Sequence, residues 1–210
     1  MDTIFKNVVK TLEELREISG KPGAVVNKKV IHSIDHHCRE FISKSPFLTI
    51  GTTNGEGSTD VSPRGDTPGF VHIIDEKHLI IPERPGNRRL DSIINILSHP
   101  YVGVLFFIPG LGETLRVNGK ACVIKDEELL EPMTVQGKRP VLGIGIEVEE
   151  CFIHCAKAFI RSGLWQPDSW MEKENLPLPA KILKDHIQMP EIQTKDIEDD
   201  LEASYKHTLY

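Results

Sequence analysis

Between Leu79 and Leu97 the chain reads LIIPERPGNRRLDSIINIL, with Arg84, Arg88 and Arg89 crowded where a strand-like apolar run gives way to a helical pattern. Leu79-Ile80-Ile81 has the length of a buried strand, and Pro82 and Pro85-Gly86 break it. Leu90, Ile93, Ile94 and Leu97 then recur at helical spacing and are expected on one face, with Asn87 at the N-cap. The first-turn amides of a helix are unpaired and its dipole is positive there, so an anion is stabilised at that end. Guanidinium groups add bidentate, charge-assisted bonds that match phosphate geometry. Cations there are unfavourable until an anion neutralises them, and this conflict points to a phosphate site. Pairing with Glu83 and Asp91 on a solvated face accounts for the same arginines, so the residues alone leave both readings open.

Two other clusters invite metal chemistry and fail on direction. In Asp35-His36-His37-Cys38, adjacent helical residues point about 100° apart and do not converge. In Cys151-Phe152-Ile153-His154-Cys155, a strand turns His154 away from Cys155, which also removes a Cys-His nucleophile pair. No metal site is expected, and the cysteines read as small buried residues. The 210 residues, 39% of them hydrophobic and 27% charged, fit a globular domain with appendages. A net charge of −6 argues against general nucleic-acid binding. No apolar run reaches the about 18 residues of a membrane span. The start, MDTIFKNVVK, lacks a signal-peptide core. Four cysteines without an export signal suggest reduced thiols and a cytoplasmic location.

These candidates need a frame. Thr11 to Ser19 is expected to be a short helix capped by Thr11, and Ala24 to Ser43 a long amphipathic one. Phe47–Thr53 and Ser58–Arg64 flank Asn54-Gly55-Glu56-Gly57 as a hairpin, with Pro63 restricting the second strand to an edge, a strand end or a bulge. Val71–Ile74 pairs with His78–Ile81. Val102–Ile108 is apolar enough for burial on both faces, and Glu113–Ile124 and Val141–Cys155 alternate. Asp126 to Gln136 is expected to be helical. Six or seven antiparallel strands would close into a small barrel. The α+β chain divides into N-terminal helices (1–45), the barrel (46–165) and a C-terminal part (166–210). In the last part, 166–190 is expected as a surface loop anchored by Trp165 and Trp170, followed by a mobile acidic tail.

Ser62-Pro63-Arg64-Gly65-Asp66, IPERPGNRR, LFFIPG, ETLRVNGKA and HCAKAFIRSGLW occur in one order. Together they resemble the FMN-binding split-barrel family of pyridoxamine 5′-phosphate oxidase, and more narrowly a bacterial flavin-binding branch of it, over about residues 11–175. The resemblance implies a Greek-key-like split barrel with flanking helices, FMN as cofactor, and a homodimer with FMN at the interface. Asn87-Arg88-Arg89 matches the Ser-Arg-Lys that holds the FMN phosphate, with Asn in place of Ser. Ile81-Pro82 departs from the preceding Tyr-Thr step and loses a hydroxyl. Thr114 takes a Gln position, and Arg116 matches directly. Ser62 and Arg64 fall on the strand beside the isoalloxazine, and Lys157, Ser162 and Trp165 are implied to reach the partner subunit's flavin. A cation at Arg64 or Arg116 would raise the flavin's potential.

The resulting expectation is a flavin-dependent oxidoreductase acting on an unidentified small molecule, with NAD(P)H a possible partner. The Trp and Arg-Leu-Ala-Pro substrate motif of a genuine pyridoxamine phosphate oxidase has no match in the tail. A flavin storage or sensor module, a deazaflavin- or haem-binding relative, and a structural barrel with a surface charge cluster are the alternatives.

Overall fold

The computed structural model describes residues 4–210. Three helices lead in: α1 (Leu12–Ser19), α2 (Ala24–Lys28) and α3 (His36–Lys44). Thr11 caps α1 as expected, its side chain accepting from the Glu14 amide. The long helix expected over 24–43 is broken. Between α2 and α3 the backbone of Ile31 exchanges two hydrogen bonds with Cys151, at 3.0 and 2.7 Å, and Asp35 caps a new helix by accepting from the Cys38 amide. Sheet pairing has overridden helical periodicity there, as tertiary context commonly does.

Seven antiparallel strands follow: β1 (Phe47–Thr53), β2 (Thr59–Gly65), β3 (His72–Ile73), β4 (His78–Glu83), β5 (Tyr101–Phe107), β6 (Thr114–Ile124) and β7 (Leu142–His154). Their spatial order is β2-β1-β5-β6-β7-β4-β3. The β1–β2 turn forms because the Asn54 side-chain oxygen accepts from the amides of Glu56 and Ser58. Pro63 lies on the edge strand β2, where its missing donor costs no ladder bond. β1 and β4, far apart in this order, bury side chains in one core with Ile34, Cys38 and Ile42 of the α3 region. The sheet therefore curls around a single interior, and this is the α+β split barrel. β5 is buried on one face only: Val102, Val104 and Phe106 point inward, while Tyr101 and Gly103 are exposed. The expected burial on both faces does not occur.

β6 and β7 slip register between Asn118 and Gly119, a bulge that bends both strands. A Cβ at Gly119 would lie 2.1 Å from the Glu147 carbonyl oxygen, a backbone atom that cannot yield. Gly119→Ala is expected to cost about 3 kcal/mol of stability, read as a lowered urea midpoint. Next to that bulge, the thiols of Cys38 and Cys151 lie buried 3.2 Å apart. Cys155, past the end of β7, is exposed rather than buried.

Helix α4 (Asp91–Ser98) crosses from β4 to β5. Its buried face is Ser92, Ile93 and Ile96, whereas Leu90, Ile94 and Leu97 are exposed. The apolar stripe expected to face inward is thus split between two faces. The helix expected from Asp126 shortens to α5 (Glu127–Leu130) and a 3₁₀ turn over Glu131–Met133, because Pro132 brings no amide donor.

Residues 166–178 form the expected loop, with two 3₁₀ turns and with Trp165 and Trp170 donating to the Leu111 and Leu164 carbonyl oxygens, but the residues beyond are helical rather than loop and tail. After α6 (Lys157–Ser162), helices α7 (Pro179–Ile187) and α8 (Thr194–His207) pack on each other. Gln193 and Asp196 form a capping box on α8. Lys195–Asp199 and Glu202–Lys206 add i,i+4 pairs. Among the described residues no helix is long and apolar enough to cross a membrane, and no three His, Cys, Asp or Glu side chains could hold a metal ion.

Candidate functional site

The split is bridged by side chains where backbone pairing stops. Arg64, at the end of β2, meets Glu83, at the end of β4, with Nη2 3.3 Å from Oε2 and both side chains largely buried. Just beyond, Arg84 Nε donates to Asp66 Oδ2 at 2.8 Å, and Arg84 Nη2 donates to the Met133 carbonyl oxygen. The Asp66 carboxylate, 1% exposed, also accepts from the Tyr210 hydroxyl at 2.7 Å. Arg84 lies 5.4 Å over that tyrosine's ring. Arg84 is therefore a structural cation held by a buried carboxylate, and its partner is Asp66 rather than Glu83.

Burial pushes the Glu83 carboxyl above its ordinary value, and Arg64 offsets part of the shift. The folded protein then holds a proton that the unfolded chain has released, so stability falls as pH rises from about 4.5 through the folded value. Urea titrations across that window should show this loss in the wild type and not in Glu83→Gln.

Above these pairs, residues 85–90 wrap into α4. Asn87 does not cap the helix: its side-chain oxygen accepts from the Arg89 amide at 3.0 Å, an Asx turn one step earlier. The N-cap is Leu90, in the left-handed region with φ 57°. Arg88 also has positive φ, 62°. Two such non-glycine residues in three are costly, and strain of this kind persists where a backbone shape serves a ligand. Arg89 pairs with Asp91 at 2.9 Å on an exposed face. Arg88 makes no ion pair among the described residues.

The loop faces a cleft of about 760 Å³. Pro63, Pro82, Pro85, Pro140 and Phe70 form stiff apolar walls, and Lys138 and Arg139 add cations from the approach to β7. Arg139 is engaged by Glu127, and Lys138 donates to the Tyr210 main-chain oxygen.

Of the residues expected at the site, Ser62, Arg64, Pro82, Asn87, Arg88 and Arg89 all line this cleft. The Ser62 hydroxyl is occupied, donating to Asp60 and close to the Ser92 hydroxyl. Ile81 is fully buried in the core, so its side chain does not reach the cleft. Thr114, Arg116 and Lys157 line a second pocket. Ser162 lies on α6, with its hydroxyl donating to the Phe159 carbonyl. Trp165 stacks on Phe159 and donates from Nε1 to the Leu111 carbonyl. Ser162 and Trp165 line neither pocket. Sequence reasoning missed Glu83, Lys138, Arg139 and Tyr210. The basic Lys138-Arg139-Pro140 step was a usable signal, but Tyr210 carried none.

The family profile for pyridoxamine 5′-phosphate oxidase matches residues 34–155. No curated protein matches the chain. Similar solved structures include HupZ of Group A Streptococcus, at 18% identity and TM-score 0.47, covering 57% of this chain and 93% of that one. An FMN-binding protein from Syntrophomonas wolfei is 9% identical, with TM-score 0.44 and coverages of 56% and 83%. The FAD binding protein from Mycobacterium smegmatis is 13% identical, with TM-score 0.40 and coverages of 58% and 95%. With a family match over more than half its length, laid on seven strands that curl around one core, the chain belongs to the pyridoxamine 5′-phosphate oxidase family.

Proposed function

We propose that the cleft binds FMN and that the protein is a flavin-dependent oxidoreductase acting on a small molecule. The observation that carries this reading is the unmatched polarity of the cleft. Arg88 has no carboxylate among the described residues, Arg64 Nε is buried with no hydrogen-bond partner among them, and Glu83 Oε2 has the 3.3 Å charge contact with Arg64 Nη2 but no well-aligned hydrogen bond. An unmatched cation fits a phosphate. An unmatched donor next to an unmatched acceptor fits a hydroxyl, which serves both, and a phosphorylated polyol chain carries both groups. A volume of about 760 Å³ lies within the range of cofactor pockets.

In this reading Arg88 and Arg89 bind the phosphate, and Arg89 exchanges Asp91 for it. Arg64 and Glu83 orient the hydroxylated chain, and the proline walls receive the ring and exclude water. Bound FMN supplies the electron or hydride transfer, and the protein supplies position and field. Arg64 places positive charge where a reduced ring is negative. The exposed Leu90, which lines the cleft, and Ile94 and Leu97 further along α4 suit cover by a second copy of the chain, in a homodimer that brings Thr114, Arg116 and Lys157 of one subunit toward the flavin of the other.

The test is an absorption spectrum of purified protein with mass identification of the released chromophore, followed by NAD(P)H oxidation with bound FMN. Flavin bands and turnover support the reading. Flavin without turnover leaves a carrier, and a colourless protein that fails to take up FMN overturns it.

A further inference from the structure

The second pocket, about 620 Å³, is lined by residues of β1, β2, β5, β6, β7 and α6 and shares no lining residue with the first cleft. Its charged lining is Arg116, Lys157 and Arg161, and no carboxylate lines it. That is unusual in a chain with 31 acidic and 25 basic residues. None of the three cations pairs with a carboxylate among the described residues. His154 also lines the pocket, and its Nε2 is buried with no hydrogen-bond partner among the described residues. A buried, unmatched ring nitrogen costs free energy that an oxygen anion would relieve, and the half-buried Arg116 with the exposed Lys157 and Arg161 supplies charge to hold such an anion.

We propose that His154 and Arg161, together with Arg116 and Lys157, form an oxyanion subsite for the carboxylate or phosphate of the small molecule on which the flavin acts. The assignment to substrate rests on the FMN reading above; the anion site does not. The fixed forks of Arg116 and Arg161 suit a bidentate oxyanion, Lys157 adds a point charge, and His154 supplies the buried polar atom that fixes orientation. Metal binding by His154 has no support, since no ligating group of three is present among the described residues.

The pocket gives the site a pH signature. Burial, Arg116 and Lys29 together hold the His154 imidazole below its ordinary value. Lys29 and Arg116 flank the Phe152 ring at 5.2 and 5.1 Å, and that ring lies 5.1 Å from the imidazole. Lys157 and Arg161 face the site from α6. An anion seated among these charges offsets them and raises the imidazole's midpoint. By linkage, the anion then binds more tightly as pH falls through that midpoint.

Sulfate is the probe, because it does not titrate between pH 5 and about 8. The His154 Cε1–H resonance is followed by NMR in full-length protein, with and without FMN. The expected result is a rise of about half a pH unit or more in the His154 midpoint at saturating sulfate. Arg161→Ala should weaken sulfate about tenfold, the worth of one charge-assisted bond, while FMN binding is retained. Arg161→Lys should recover part of the loss, and His154→Gln should abolish the pH dependence. Titrations with methyl phosphate and with acetate tell a phosphoester from a carboxylic acid. An unmoved His154 midpoint, equal sulfate affinity in Arg161→Ala, or one-for-one displacement of sulfate by FMN would each overturn the subsite. Failure of FMN to bind, with the sulfate results intact, fails only the flavin reading.

Discussion

Replacing Arg88 and Arg89 together by alanine is expected to weaken FMN about 100-fold or more, from two charge-assisted bonds at roughly tenfold each. Fluorescence quenching of FMN on titration with FMN-free protein reads this directly. The single variants are expected to lose similar amounts from different starting points. Arg88 carries no competing carboxylate, so its removal takes the full bond. Arg89 must first leave Asp91, 2.9 Å away, and the exposed pair is worth little, so Arg89→Ala should lose nearly as much. Arg88→Gly should lose FMN as Arg88→Ala does while raising the unfolding midpoint, since glycine takes a φ of 62° without strain. Equal affinity in the double variant and the wild type would remove the phosphate from this loop.

Arg84→Ala is expected to behave in the opposite way, with a large loss of stability that needs no cofactor to be seen. It strands the Asp66 carboxylate, 1% exposed, and leaves the Met133 carbonyl oxygen without the donor it now has. Removing one partner of a buried pair costs about 3–5 kcal/mol. Replacing both partners, as in Arg84→Met with Asp66→Leu, should recover much of that, because no buried charge is left alone. Urea unfolding of FMN-free protein measures both. An unchanged midpoint in Arg84→Ala would return Arg84 to the candidate phosphate ligands.

These two results bear on what the sequence could say. Three arginines within six residues look equivalent on the page, and their positions relative to a helix N-terminus favour an anion. The structure separates them by partners that lie elsewhere in the chain. Arg84 is claimed by Asp66, eighteen residues away, Arg89 by its neighbour Asp91, and Arg88 by neither. No local pattern encodes that division. The hairpin at Asn54 and the alternation in β6 and β7 were legible because a turn residue and a period of two act within a few residues. The break between α2 and α3 was not, because it depends on Ile31 meeting Cys151. The inward face of α4 was misread because the helix has apolar residues on two faces, and only the packing of Ile93 and Ile96 against the barrel decides between them. In the C-terminal segment, charge suggested a tail, while a capping box and i,i+4 pairs produced a helix.

The place of β4 in the sheet has a consequence for how the protein is made. β4 lies between β3 and β7, with Ile81 opposite Ile144, so its main ladder waits for a strand synthesised long after it. β1, β2 and β5 find one another much earlier in the chain. Contacts between distant segments form slowly, since the intervening loop must close first. The β4–β7 seam is therefore expected to be the last to zip, and it carries two walls of the first cleft, one from residues 82–91 and the other from 138–142. A nascent chain would pair β1, β2 and β5 before it has a binding site, and the core residues Ile81 and Ile144 would meet only as the cleft itself forms. A ligand in that cleft would act as a late clasp, slowing amide exchange along β4 and β7 more than along β1 and β2.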